Sequence, residues 1–455
     1  MKIVVGGASN VGRSIVGYLS LGNNDIVVVD EDEIKLGEIA KEYDIQPVLG
    51  SISHPDVQEN LGMKNVDMLI AVTDSDEVNM VACQVAYTLF NVPKKIARVD
   101  SKYFLNPLWN ALYNEKSLPV DLVITPDVEI AKFILSLLNL PGSTAIYPFV
   151  NNDINIIAFR CRDTDIPLLK LSILDINLKL AQIGAHIGLI IRGNRRILIN
   201  DETLKLQRND VVYICCRPRY NIEAMRLFGV DHNAFEKAVI FGANAISYYI
   251  ASELEKNDSI VNCSIVEDNP QKAQKLAELL NQTAVISGEM LSDVILEDAG
   301  FNYADVDVAV TDRDKDNLLI SLLASKNKEA QAVSLVNSRD YNVLGTNIRN
   351  NVIVDRAVIT ISAILNYLRR ARMNEAYAIG RGIGEIWELR LGQDSVNLGK
   401  SVTELYLPSD SALLAVWRQS ELIFDFSEYR IEADDKIIIY VAPNDIRRIE
   451  NIFYF

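Results

Sequence analysis

The chain has 455 residues, of which 49% are hydrophobic and 23% charged, with a formal net charge of −16. This length exceeds one ordinary core and predicts two to four domains. The acidic balance argues against nucleic acid as the main partner. No apolar run approaches the roughly 18–20 residues of a membrane span, and the first residues lack a secretory signal pattern. Five scattered cysteines without a CxxC pair add to the prediction of a cytoplasmic protein.

A glycine-rich turn follows the first predicted strand. It reads Gly7-Ala8-Ser9-Asn10-Val11-Gly12, so Ser9 replaces the second glycine of the dinucleotide-binding pattern G-x-G-x-x-G. Gly7 and Gly12 keep the glycines that allow a tight turn and close helix–strand packing. The helix that opens at Val11 would direct N–H groups at an anion, and the Ser9 hydroxyl could bond a phosphate oxygen. The alternative is a tight turn without a ligand.

Strands and helices alternate through the rest of this first segment. Runs of Val and Ile without polar alternation indicate parallel strands covered on both faces, and therefore a doubly wound Rossmann-type sheet. The predicted strands are residues 3–5, 26–29, 46–49, 68–72, 96–99 and 122–124.

Asp30 ends the second predicted strand, 18 residues after Gly12. A carboxylate there can accept both ribose hydroxyls and disfavours a 2′-phosphate, so NAD(H) or an adenine nucleotide is preferred over NADP(H). The alternative is a solvated strand end.

The segment from Gly7 to Asn79 recurs later in the chain. Gly242 lies 235 residues after Gly7, and Asn317 lies 238 residues after Asn79, so the register drifts by three residues only. The second copy predicts a second Rossmann-type sheet. Its turn is poorer in glycine, and Glu267 keeps the acid after the second strand. The turn reads Gly242-Ala243-Asn244-Ala245-Ile246-Ser247. Ser247 in the third glycine position predicts a looser cradle, and either nucleotide binding or a structural role is open for this copy.

Each copy is followed by one member of a second pair of similar segments. Residues 188–214 match residues 413–440, with Arg192 paired to Arg418, and each segment precedes a predicted helix. These patterns predict small α+β domains. The fold class is therefore α/β, with two Rossmann-like N-domains each followed by a small C-domain. The predicted domains are 1–140, 141–230, 235–372 and 373–455.

Apolar helices are predicted at residues 128–140 and 357–368, directly after each Rossmann-type sheet. Two interpretations stay open for both: packing between domains or subunits, and ordinary intradomain cores.

Catalytic groups are scarce near the glycine-rich turns. The chain has three histidines, and a dehydrogenase needs a general acid or base beside the hydride path. His54 precedes Pro55 and is interpreted as a helix-entry residue, while His186 and His232 lie far along the chain from either turn. No metal-ligand spacing is present. Nucleotide-binding folds without catalytic groups suggest a ligand-operated switch, so neither a catalytic nor a metal site is predicted.

Several stretches carry a family resemblance that covers essentially the whole chain. They are GGASNVG, VVVDED, GSISHPDV, DMLIAVTDSDEVNMVACQVAYTLFNVPKKIARV and ITPDVEIAKFIL. In these stretches the chain resembles the TrkA family, cytosolic regulatory subunits of bacterial Trk potassium uptake systems built from two RCK (KTN) units. The resemblance implies binding of NAD(H), with ATP or ADP at the same site, and no enzymatic activity. It also implies a homo-oligomer, a tetrameric ring, on the cytoplasmic face of the inner membrane below a separate TrkH/TrkG-like channel subunit.

The resemblance also assigns binding residues by position. In the first copy Gly7, Ala8, Ser9, Asn10 and Val11 would hold phosphates, beside Gly12. Asp30 would hold the ribose. The base or second ribose would lie near Ser51, Thr73 and Asp74, and Arg98 could pair with phosphate. The matching residues of the second copy are Gly242, Ala243, Asn244, Ala245, Ile246, Glu267 and Thr311.

The chain departs from the family pattern at two positions. Ser9 leaves the preference between NADH and ATP open. Leu335 replaces Arg98 in the second copy, which would lose a phosphate partner, so the first copy is predicted to dominate sensing. Two other functions stay as alternatives: an NAD-dependent oxidoreductase, and a regulator of another transporter.

Overall fold

The computed structural model describes residues 1–20, 24–101, 104, 111–114, 116–161, 167–193, 195–197, 199, 203–230, 234–257, 262–326, 330–369 and 373–454. The chain divides into two compact units. The first combines Met1–Ile130 with Arg356–Tyr367, and the second combines Ala131–Asp355 with Leu368–Phe455. Among the described residues, no helix combines the length and apolar character needed to cross a membrane.

The first unit contains a parallel sheet with helices between its strands. Its elements are β1 (Lys2–Gly6), α1 (Asn10–Leu19), β2 (Asp25–Asp30), α2 (Glu33–Glu42), β3 (Gln46–Leu49), α3 (Pro55–Asn60), β4 (Met68–Ala71), α4 (Asp76–Phe90), β5 (Lys94–Arg98) and β6 (Leu122–Ile124). The strand order is β3-β2-β1-β4-β5-β6, which is the doubly wound Rossmann order. The predicted sheet is therefore confirmed, and His54 directly precedes α3 as predicted.

The predicted strand that differs most from the structure is the fifth, where buried charge is present; the bounds of β1, β2 and β4 differ by one residue at one or both ends. The predicted strand 96–99 is β5, which begins at Lys94 and ends at Arg98. Lys95 is only 3% exposed, and its ammonium lies 2.8 Å from the carboxylate of Asp121. Two consecutive lysines argue against a buried strand in the sequence, but this ion pair allows the ladder to include them.

Helix α5 (Pro126–Asn139) follows β6, and the division between the units falls within it. In the second unit a small antiparallel sheet comes next. Its elements are β7 (Ser143–Phe149), β8 (Ile154–Arg160), α6 (Ile173–Ala181), β9 (His186–Arg192), β10 (Arg195–Ile197), β11 (Val211–Cys216) and α7 (Asn221–Arg226). The order is β10-β9-β11-β8-β7. His186 thus begins a strand, whereas His232 lies outside the described residues.

A second Rossmann-type sheet follows. Its elements are β12 (Lys237–Phe241), α8 (Ala245–Asn257), β13 (Asn262–Glu267), α9 (Pro270–Ala277), β14 (Ala284–Ser287), α10 (Asp293–Asp298), β15 (Val306–Ala309), α11 (Asp314–Ala324), β16 (Gln331–Val336), α12 (Arg339–Gly345), β17 (Asn351–Asp355) and α13 (Arg356–Arg369). The order β14-β13-β12-β15-β16-β17 repeats that of the first sheet. The duplication seen in the sequence is therefore a duplication of topology.

The last small sheet repeats the earlier one. Its elements are β18 (Glu375–Ile379), β19 (Gly384–Arg390), β20 (Ala412–Arg418), β21 (Glu421–Ile423), β22 (Lys436–Val441) and α14 (Ile446–Tyr454). The order is β18-β19-β22-β20-β21. Arg192 and Arg418, paired in the sequence, each form a two-bond ion pair with a buried aspartate, Asp210 and Asp435.

The two small sheets share one hydrophobic core within the second unit. Leu189 and Ile156 of the earlier sheet are fully buried with Ile386 and Leu414 of the later one. Tyr377 packs edge-to-face on Phe149, with ring centroids 5.3 Å apart. Because a small sheet buries little on its own, this shared core stabilises both sheets.

Candidate functional site

A cleft of about 330 Å³ lies at the carboxyl ends of β1, β2 and β4. In a doubly wound sheet this edge is where ligands bind, because the strand order reverses there. The residues that line the cleft are Gly7, Ser9, Val29, Asp30, Glu31, Lys35, Gly50, Ser51, Ile52, Thr73, Asp74, Ser75 and Val78. The cleft therefore brings together six of the predicted site residues, namely Gly7, Ser9, Asp30, Ser51, Thr73 and Asp74. The other lining residues were not anticipated from the sequence; they are Val29, Glu31, Lys35, Gly50, Ile52, Ser75 and Val78.

The glycine-rich turn depends on both of its glycines. Gly7 has φ of +113°, and a Cβ there would lie 2.7 Å from the carbonyl oxygen of Val72. A Cβ on Gly12 would overlap the carbonyl oxygen of Gly7. The first and third glycines of the pattern therefore have the roles predicted for them: one permits the turn, and the other lets α1 approach β1.

Asp30 holds this turn in place. Its Oδ2 accepts the N–H of Ala8 at 2.5 Å, and its Oδ1 accepts the N–H of Asp32 at 2.8 Å. Each carboxylate oxygen can accept more than one hydrogen bond, so both retain capacity toward a ribose hydroxyl. The carboxylate thus connects the glycine-rich turn to the end of β2, where a ribose hydroxyl could also be accepted.

The N-terminus of α1 is not capped by a side chain. Ser9 is the extended residue before the helix, and its side chain makes no capping hydrogen bond. Its hydroxyl instead donates to the carbonyl of Val72 over 3.4 Å. The first turn, which contains Asn10, Val11 and Gly12, has no acidic residue. The partial positive charge at this helix end is therefore available to an anion in the cleft.

Asn79, which was not among the predicted site residues, fixes the end of β4. Asn79 Oδ1 accepts from both the N–H and the hydroxyl of Thr73, at 2.9 and 2.7 Å. Its amide nitrogen donates to the carbonyl of Arg98 at 3.0 Å. Asn79 is completely buried. The signal was present in the repeat, because TDSDEVN and TDRDKDN both end in this asparagine.

Arg98 faces carboxylates beside the cleft. Its guanidinium lies 2.6 Å from Asp100 and 3.3 Å from Asp74. Burial disfavours the charged form, but these carboxylates, Asp100 foremost, outweigh burial and raise the pKa of Arg98. Burial also raises the pKa of Asp100, against the effect of Arg98. A phosphate at Arg98 would have to compete with these two carboxylates, and this role stays a prediction.

The second copy repeats most of this framework. Gly242 has φ of +105°, and Glu267 accepts the N–H of Ala243 at 2.6 Å, as Asp30 does for Ala8. Thr311 bonds the buried Asn317 as Thr73 bonds Asn79. The turn at the start of α8 differs, because Asn244 accepts the N–H groups of Ile246 and Ser247 at 3.0 and 3.1 Å.

The sequence predicts a looser phosphate cradle in the second copy. In the structure, hydrogen bonds connect residues 244 and 247 across this turn. Ser247 is fully buried, and its hydroxyl donates to the carbonyl of Asn244 at 3.0 Å. Ala245, between them, is the first residue of α8.

The chain matches the family model of the TrkA-N domain twice, over residues 3–126 and 238–359. These two matches cover both Rossmann-type copies and more than half of the chain.

Full-length relatives carry one name. The Trk system potassium uptake protein TrkA of Azorhizobium caulinodans is 31% identical over 457 aligned residues, which cover 100% of this chain and 98% of the relative. The protein of the same name from Halomonas elongata is 30% identical, with 100% of this chain and 98% of the relative covered.

Solved structures share the fold at low identity. A GsuK channel bound to NAD has a TM-score of 0.63 and 14% identity, covering 99% of this chain and 78% of that one. GsuK bound to ADP has a TM-score of 0.51 and 13% identity, covering 81% of this chain and 69% of that one. The two TrkA-N matches and the full-length relatives confirm the predicted resemblance: the chain belongs to the TrkA family of Trk system potassium uptake proteins.

Proposed function

We propose that this chain is the nucleotide-sensing regulatory subunit of a Trk-type potassium uptake system, and that the cleft beside Gly7 and Asp30 is its sensor. The observation that carries the proposal is an open cleft at the switch point of the first sheet, facing an uncapped helix N-terminus. A pyrophosphate fits such a helix end, because N–H groups and the helix dipole both favour an anion. The family membership connects the sensor to potassium uptake.

The ligand in this proposal is NAD(H), or ATP or ADP at the same site. Asp30 at the end of β2 suits a ribose with a free 2′-hydroxyl, since a carboxylate repels a 2′-phosphate. The GsuK structures with NAD and with ADP share the fold and support both ligand classes. Phosphates would contact residues 7–12, and the second ribose or base would lie toward Ser51, Thr73 and Asp74.

The cleft is proposed to bind its ligand without transforming it. The described residues that line it include neither histidine nor cysteine. Burial raises the pKa of the Cys83 thiol, on the adjacent helix α4, to about 12, so this thiol stays protonated at neutral pH. Binding without chemistry is what a sensor requires.

Regulation follows from linkage. A nucleotide changes a conformational equilibrium only by its difference in affinity for the two states. We propose that the states are two shapes of a homo-oligomeric ring, a tetramer. The ring would lie at the cytoplasmic face of the inner membrane, below a separate TrkH/TrkG-like channel subunit. The four-domain division 1–140, 141–230, 235–372 and 373–455 belongs to this proposal.

Titration calorimetry with NADH, NAD, ATP and ADP tests the sensor. Asp30→Ala should weaken binding by about 1–3 kcal/mol, because it removes a charged acceptor. Glu267→Ala is the matched control in the second copy, and we expect it to leave the affinity unchanged. Asp30→Asn separates charge from turn geometry, since it keeps an oxygen that can accept the Ala8 N–H.

Two results would contradict the proposal. One is an unchanged affinity of a folded Asp30→Ala variant. The other is a substrate-dependent change in NADH absorbance, which would favour an oxidoreductase. Copurification with a membrane subunit of a different transporter would favour the other alternative.

A further inference from the structure

The second Rossmann-type copy fills its own phosphate cradle. Asn244 stands at the position of Ser9, and its side-chain oxygen accepts the N–H groups of Ile246 and Ser247 at 3.0 and 3.1 Å. Its amide nitrogen donates to the carbonyl of Val310 at 2.6 Å. Asn244 is therefore anchored at both ends of its side chain, over the N-terminus of α8.

These N–H groups are the ones that a phosphate would use. Ile246 and Ser247 correspond to Val11 and Gly12 at the start of α1. The hydroxyl of Ser247 accepts the N–H of Asn244 at 2.9 Å, and Glu267 accepts the N–H of Ala243. The N–H of Gly242 donates to the carbonyl of Val266, as the N–H of Gly7 donates to that of Val29. The N–H groups of Gly242 and Ala243 are therefore bonded alike in both copies, and the difference lies at Asn244, Ile246 and Ser247. A phosphate would have to displace hydrogen bonds that the copy already makes internally, which disfavours binding.

An ion pair also joins the two loops that flank this turn. Arg313 lies 2.8 Å from Asp268, and connects the loop after β15 to the loop after β13. Both strands neighbour β12, which leads into the turn. In the first copy the same positions are Ser75 and Glu31, and both line the open cleft. This exposed pair adds little stability, but it ties together the two loops on either side of the turn.

We propose that Asn244 and Arg313 keep the second copy free of nucleotide, so that each chain has a single nucleotide site. Asn244 occupies the phosphate position, and Arg313 holds the loops after β13 and β15 together by pairing with Asp268. These two residues determine which copy senses the ligand. The identity of that ligand rests on the proposed function, whereas the closure of the second cradle does not.

The test gives the second copy the residues of the first. Calorimetry with ADP and with NADH is performed on the full chain, on Asn244→Ser/Arg313→Ser, and on the same pair combined with Asp30→Ala. Serine is common before a helix, and Ser9 precedes α1 without capping it, so the variants should fold while freeing the N–H groups of Ile246 and Ser247. Asn244→Asp/Arg313→Ser is the control: it keeps a capping oxygen but adds a negative charge that repels phosphate.

We expect one ligand per chain for the natural sequence and two for Asn244→Ser/Arg313→Ser. In the combination with Asp30→Ala, the site at the second copy should keep its affinity while the site at the first copy weakens. The aspartate control should bind as the natural sequence does. Two sites in the natural sequence would overturn the inference. So would a folded serine variant that gains none. If the natural sequence binds nothing but the serine variant binds one ligand, the proposed function fails and this inference stands.

Discussion

The two Rossmann-type copies share a strand order and a carboxylate that holds the glycine turn, but they treat the next helix differently. In the first copy, the N-terminus of α1 has no side-chain cap and faces a cleft. In the second, Asn244 caps α8 from the same position. One residue at the start of a helix therefore separates a helix end that can hold an anion from one that is already satisfied. Both copies keep the same sheet topology. Whether a copy can bind an anion depends on whether the N–H groups at the start of the next helix lack a side-chain partner.

The helix–strand contact offers the largest expected difference between the copies. Gly12→Ser should destabilise the first unit by about 1–3 kcal/mol, because a Cβ there overlaps the carbonyl of Gly7. The second copy already has serine at this position, Ser247, so Ser247→Gly should cost less. Chemical denaturation measures both. Equal effects would contradict a difference in how closely the two helices approach their strands.

A buried acid distinguishes the two sheets. Asp307 in β15 is 1% exposed, and its two carboxylate oxygens have no hydrogen-bond partner among the described residues. The first copy has Leu69 at this position. Asp307→Leu should stabilise the protein by about 1–3 kcal/mol at neutral pH, since it removes an unsatisfied polar group.

The pH dependence of that effect has a definite sign. Burial raises the pKa of Asp307 well above its usual range. At pH values below the unfolded pKa, Asp307 is neutral in both states and burying it costs no charge. As pH rises toward the folded pKa, the free energy of unfolding of the natural protein falls. The stability gained by Asp307→Leu should grow over the same interval. A gain that stays constant with rising pH in denaturation curves would show that the carboxylate is solvated, and a gain that shrinks would show that the fold stabilises its charged form.

The comparison can also be reversed within the first copy. Ser9→Asn gives the first turn the capping residue of the second, and should lower nucleotide affinity at least about tenfold, or about 1.4 kcal/mol. The same change should raise thermal stability slightly, because it satisfies free N–H groups. Calorimetry and thermal melting check the two effects together. If Ser9→Asn left the nucleotide affinity unchanged, an asparagine cap would not be what excludes the ligand.

The smallest effect concerns a loop of the second copy. Glu255 accepts the N–H groups of Asn281, Gln282 and Thr283 and the hydroxyl of Thr283. Burial alone would raise the pKa of Glu255, but the hydrogen bonds together outweigh it and lower this pKa to about 2. Since its folded pKa lies below the unfolded value, its stabilisation is present above about pH 4.5 and is lost as pH falls toward 2.

Glu255→Gln should therefore cost no more than about 1 kcal/mol at neutral pH, because solvent screens this partly exposed group. The first copy has Ser20 at this position, and Ser20→Ala is the control. Denaturation at pH 7 and at pH 3 compares them. A larger cost at pH 3 than at pH 7 would contradict the assignment.

The sequence predicted the fold where hydrophobic patterning decides it. Uninterrupted Val and Ile runs predicted the parallel strands, and the constant offset predicted the second sheet. The predicted strand 96–99 left out Lys94 and Lys95 at the start of β5, because a charged residue reveals nothing of a partner such as Asp121, 26 residues from Lys95. Patterns along the chain describe burial, but not ion pairs between distant positions.

The site was predicted less completely than the fold. The glycine turn and Asp30 follow a known spacing, and both lie at the cleft. Asn244 could be aligned with Ser9, yet the sequence does not tell whether an asparagine side chain folds back onto its own helix. Asn79 was visible as a repeated residue, but its role depends on the carbonyl of Arg98 on a neighbouring strand.

The first compact unit has a consequence for synthesis. Its two segments, Met1–Ile130 and Arg356–Tyr367, are separated by the whole of residues 131–355. Arg356 joins them through an ion pair with Asp127 at 2.5 Å. During translation the N-terminal segment emerges first, but its last helical partner is available only after the second sheet has been made. The unit that carries the cleft is thus completed late, and a protein truncated before Arg356 would lack part of it.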